Sequence, residues 1–178
     1  MIANPLDAWL PAATIRTHHR RAAVAAPAVL WACARAVRLS DTRTLGRLVR
    51  WRIPGTESAS TFDRVFRCYP FTVLEEEEHL LVSGLCGRIW TLARDYPRLG
   101  GPDDFRGWDA AGTARVLIGH WVQRLADGRA EIVSEARVAP VDRGAARRLR
   151  RLWIVVGPFD QLVGAEALTV AVRRAERR

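Results

Sequence analysis

Apolar and polar positions alternate along much of the middle of the chain and recur at helical spacing near its ends. Residues 14–24, TIRTHHRRAAV, predict a polar-leaning strand. Pro27 opens a stretch, 27–38, in which Val29, Leu30, Cys33 and Val37 share one helical face. Ser40-Asp41 is placed to cap a second short helix carrying Leu45, Leu48, Val49 and Arg52, which Pro54-Gly55 ends. Residues 55–61 read as a loop. Phe71 to Glu77 and Leu80 to Thr91 predict strands, with the Glu75–Glu78 block as a solvated turn. Residues 95–112 hold two prolines and a cluster of glycines and predict a long irregular connection. After Pro140, Asp142 is placed to cap a long helix with Leu149, Leu152, Trp153 and Val156 on one stripe. Gly157-Pro158 should kink or break it before the pattern resumes through Leu162, Ala165, Leu168, Val172 and Ala175.

The sharpest local signal is Asp127-Gly128, set between the β-type runs 113–125 and 130–139. A two- or four-residue loop there pairs Arg124 with Glu131, His120 with Glu135 and Ile118 with Arg137. His120, Glu135 and Arg137 then share a face with three valines. Two readings follow. Either this trio lines a cavity, where it can anchor an oxygenated ligand or move a proton, or it is a solvated cross-strand cluster. In the second case Trp121, Ile132 and Ser134 face inward with Trp153. A three-residue loop would break the pairing altogether. Trp90, Tyr96, Phe105 and Trp108 flank the long connection and are candidates for a cavity mouth.

Composition narrows the class. With 178 residues, 49% of them hydrophobic, the chain has the size and apolar content of a single folded domain, residues 1–12 forming an N-terminal extension. The net charge is +9, and every basic residue is arginine. This matches the composition of a GC-rich bacterial genome, and a nucleic-acid partner is the alternative reading of the charge. The arginines are spread along the chain, and the dense stretch 143–151 lacks interleaved aromatics for stacking on bases. Cys33, Cys68 and Cys86 are odd in number and lack metal-knuckle or redox-pair spacing, so no metal and a reducing, cytoplasmic setting are expected. No apolar run reaches the length of a membrane span, and the first 13 residues lack the layout of a secretory leader. No serine nucleophile elbow or Gly-rich phosphate loop is present.

Strand, two short helices, an antiparallel run and a long last helix predict an α+β fold. This order, with the stretches AVAAPAVLWACARAVRLSD, GLCGRIW and SEARVAPVDRGAARRLRRLWIVVGPFDQLVGAEAL, resembles the START-like (SRPBCC, helix-grip) superfamily of polyketide cyclases, aromatases and lipid carriers, in an uncharacterised bacterial branch. The resemblance implies a curved antiparallel sheet gripping the C-terminal helix, with a hydrophobic small-molecule cavity between them. It implies no cofactor and leaves binder and cyclase or dehydratase both open. In the enzyme version His120 and Glu135 are the acid/base pair, and Arg137, Trp121, Trp153, Trp90 and Tyr96 contact the ligand.

Overall fold

The computed structural model describes residues 4–53, 55–91, 96–163 and 165–178, with the backbone alone for 52, 155 and 158–163. Five strands form one curved antiparallel sheet: β1 (Ile15–Ala23), β2 (Thr72–Glu77), β3 (Leu80–Gly87), β4 (Ala114–Arg124) and β5 (Ala130–Pro140), in the order β1-β5-β4-β3-β2. The helices are α1 (Pro27–Arg35), α2 (Leu45–Arg52), α3 (Phe62–Arg67), α4 (Pro102–Arg106), α5 (Arg143–Val163) and α6 (Glu166–Ala175). The α+β class and the antiparallel sheet agree with the element order of the sequence.

Both sheet faces are covered. On the inner face, Leu81, Val122, Ala130 and Ile132 pack against Leu30, Trp31 and Cys33 of α1, Phe62 and Val65 of α3, and Leu168, Ala171 and Ala175 of α6. Leu149 of α5 closes the far end of the same face over Ile15, Ala114 and Val138. On the outer face, Leu6, Trp9 and Leu10 of the N-terminal segment, together with Phe105 of α4, cover Leu80, Val82, Cys86 and Leu117. Gly119 allows this close approach, because a Cβ there would stand 2.5 Å from Leu6 Cδ2. Residues expected as an extension thus form a strap folded onto the back of the sheet.

Several local expectations change. The glutamate block lies at the end of β2, and the turn falls on Glu78-His79. Ser40-Asp41 forms a 3₁₀ turn (Leu39–Asp41), so α2 starts only at Leu45. Its first amides have an unexpected partner: Glu166, at the start of α6, accepts hydrogen bonds from the Thr44 and Leu45 amides at 3.0 Å each. The Arg52 side chain lies outside the described residues. Helix α3, capped by Thr61 Oγ1, is absent from the sequence reading. Asp142 does cap α5, accepting from the Ala145 amide at 2.8 Å. The helix then runs through Gly157-Pro158 without a break, and a separate helix begins at Glu166. The long C-terminal helix is thus α5, with α6 following as a separate helix. The apolar stripe of α5 also fades: Leu149 is buried, Leu152 and Trp153 are partly so, and Val156 is exposed. The side chain of Leu162 lies outside the described residues.

Glu166→Ala should remove the link between α6 and the start of α2 and lower stability by about 0.5–2 kcal/mol, as for other lost caps. Chemical denaturation, with an unchanged denaturant slope, measures this.

Candidate functional site

The loop of the β4–β5 hairpin sets which residues meet. The Gly128 amide donates to Leu125 O at 3.0 Å, the Leu125 amide donates to Arg129 O at 2.8 Å, and Gly128 has φ +83°. This is a three-residue loop, a tight turn followed by a left-handed glycine. Across it Arg124 pairs with Ala130, His120 with Ser134, Gly119 with Glu135 and Leu117 with Arg137. The expected register is off by one residue. Because strand side chains alternate between faces, the offset separates His120 from Glu135 and Arg137.

His120 faces inward. It stands in a cross-strand row with Ser134 of β5 and His19 of β1 on one side and Leu81 of β3 on the other. That row forms the floor of a cavity of about 190 Å³. Trp31 and Ala34 of α1, Leu45 and Val49 of α2, Phe62 and Phe66 of α3, and Leu168 of α6 supply apolar walls. The Phe66 ring lies 4.7 Å from the His120 imidazole, centroid to centroid. At the polar rim, Asp63 accepts from Arg35 Nε at 3.0 Å and from Arg67 Nε at 2.9 Å. Arg67 also holds Glu76 in a two-pronged pair at 2.7 and 2.8 Å, which keeps the Glu76 carboxyl below its usual range.

Two features set the chemistry of the floor. His120 Nε2 is buried and has no hydrogen-bond partner among the described residues. Burial holds the imidazole pKa down at about 4, against a smaller upward pull from the Asp63 carboxylate. The ring is therefore neutral near pH 7, and its Nε2 is a buried polar atom left unused beside the cavity.

Glu135 and Arg137 are buried on the outer face, an arrangement that neither sequence reading anticipated. Arg137 Nε donates to Glu135 Oε1 at 2.6 Å, and Nη1 donates to Asp7 Oδ1 at 2.7 Å and Leu10 O at 2.8 Å. Asn4 Nδ2 donates to Glu135 Oε2 at 2.7 Å. The pair thus clasps the N-terminal strap. Trp121 packs on this outer face as well. Trp153 and Trp90 flank the cluster around Leu149, away from the cavity floor. Tyr96 is buried, with its backbone bridged by the Tyr69 hydroxyl, while Phe105 and Trp108 join the outer cluster. None of these aromatics lines the cavity. Of the expected site residues only His120 does. Ser134 was legible as a cavity residue only in the alternative facing, and Phe66 and Asp63 carried no signal because α3 was not recognised.

Among the described residues no group of three or more His, Cys, Asp or Glu side chains is placed to hold a metal ion. No described helix is long and apolar enough to cross a membrane. No family model and no curated protein matches the chain. Among solved structures, it is similar to the hypothetical protein jhp0584 from Helicobacter pylori, with TM-score 0.41, 9% identity, and coverage of 98% of this chain and 96% of that one. It is also similar to the Zhui aromatase/cyclase from Streptomyces sp. R1128, with TM-score 0.36, 15% identity, and coverage of 92% and 94%. The chemistry therefore rests on this chain's own residues.

Proposed function

We propose that the protein binds a small, mostly apolar molecule of single-ring size, held by one hydrogen bond to His120. The carrying observation is the buried, unpartnered Nε2 of His120 in the floor of a mostly apolar cavity. Leaving such an atom unsatisfied costs about 1–3 kcal/mol, which a ligand hydroxyl or carbonyl recovers on binding. The size follows from comparison: an apolar cavity of about 150 Å³ accommodates benzene, and this one is about 190 Å³. A phenol or a similarly substituted ring fits that space, and a multi-ring or long-chain molecule exceeds it.

Binding is favoured over proton-transfer catalysis such as cyclisation or dehydration. A base whose conjugate acid has a pKa of about 4 abstracts protons weakly at neutral pH. Glu135, the expected second acid/base group, lies across the sheet. Calorimetric titration with a panel of single-ring phenols tests the reading. One or more should bind, bicyclic analogues should not, and His120→Phe should weaken binding by about 3–10-fold while the fold is kept. Equal affinity in His120→Phe, or no binding across the panel, would overturn it.

A further inference from the structure

A second concavity, of about 510 Å³, lies on the surface between the 3₁₀ turn Leu39–Asp41 and α2. It is distinct from the apolar cavity, sharing none of its lining residues. Arg43, just before α2, and Arg47 and Arg50, three residues apart on it, stand at its edge. All three are exposed, and among the described residues none of them makes an ion pair. Like charges at this spacing repel when nothing lies between them. Hydroxyls of Ser40, Thr44 and Ser58 also line the groove.

Two of the acidic groups nearby are already engaged. Asp41 accepts from the Arg38 amide at 2.7 Å and pairs with Arg174 at 2.9 Å. Glu166 holds the first amides of α2. The groove is also firmly built. The Ser40 amide donates to Ser58 O at 2.9 Å, and Thr42 Oγ1 joins Leu39 O to the Gly46 amide at 3.0 and 2.9 Å. A Cβ on Gly46 would collide with the Leu39 carbonyl, so glycine lets α2 lie against the turn.

Three guanidiniums without an ion pair among the described residues, and three hydroxyls lining the same groove, match the charge and acceptor oxygens of a phosphate group. We infer that this groove binds a phosphate-bearing ligand, either a soluble phosphorylated molecule or a lipid headgroup.

The test uses the full chain and inorganic pyrophosphate as probe, followed by amide chemical shifts at low salt. Saturable shifts are expected at Ser40, Thr44, Gly46 and Ser58, weakening as salt is added. The double variant R47Q/R50Q keeps the side-chain stems and should bind at least about tenfold more weakly. The control R150Q/R151Q removes the same charge from exposed positions on α5 and should change affinity less than about twofold. If pyrophosphate fails but vesicles containing phosphatidic acid bind with the same dependence on the two double variants, the source is a headgroup and the site stands. No binding to either probe, shifts centred elsewhere, or equal weakening in both double variants would overturn the proposal. The shift map on the unaltered protein decides the matter even if R47Q/R50Q fails to fold.

Discussion

Arg137→Ala should lower the unfolding free energy by about 3–5 kcal/mol, the range for breaking a buried ion pair by removing one partner. The Arg137 side chain is 0% exposed and that of Glu135 is 3% exposed. Removing the guanidinium leaves the Glu135 carboxylate under the strap with Asn4 and a longer contact to Arg16 at 3.5 Å. It also releases the Leu10 carbonyl and leaves Asp7 with a 3.9 Å contact to Arg16, so the strap loses its main polar attachment. For a chain of this size the melting temperature should fall by roughly 6–20 °C. Replacing both partners together with leucine should cost markedly less than the single alanine, because no charge is then left buried. Thermal melts of the three proteins measure both effects. A loss below about 1 kcal/mol for Arg137→Ala would show that the strap does not depend on the pair.

Acid should destabilise the protein through His120, independently of the strap. Its pKa is about 4 when folded and about 6.5 in an unfolded chain. Between those values the unfolded chain takes up a proton that the folded one excludes. The stabilising contribution is therefore complete above pH 6.5 and is lost as pH falls through 4. A gap of that size amounts to roughly 3 kcal/mol. His120→Asn removes the titration and should flatten this part of the stability–pH curve, while the carboxylates contribute equally in both proteins. Denaturation midpoints measured from pH 7 to pH 4 check it. Parallel curves for parent and variant would contradict a neutral, desolvated imidazole.

What the sequence conveyed and what it withheld both turn on the same hairpin. Asp127-Gly128 marked the turn and the two strands beside it, since only a few residue types tolerate a left-handed backbone. The dipeptide does not state the loop length. One residue more or less moves every side chain of β5 to the opposite face relative to β4, and that carried Glu135 and Arg137 away from His120. Hydrophobicity could not correct the error. A sheet with one wet face betrays its register by alternation, but here Leu6, Trp9 and Leu10 cover the back, so both faces accept apolar residues. The helical break failed for a related reason. Gly157-Pro158 is a strong local stop, yet the structure carries α5 through it and places Glu166, a remote partner of α2, at the start of the next helix. Local punctuation marked the strands and most of the helices but not α3, and it misplaced the end of α5.

The strand order has a consequence for the order of assembly. β2, β3, β4 and β5 are neighbours in sequence and in the sheet, so they can zip up one after another as the chain leaves the ribosome. β1 is made first yet pairs only with β5: Ile15 waits for Val138. Throughout synthesis it is an unpaired strand, the kind of segment that seeds association between chains. Its sequence suits that wait. His18, Arg20 and Arg21 put repelling or well-hydrated groups on a strand that afterwards remains at the edge of the finished sheet. The polarity of β1 protects the nascent chain until its partner arrives.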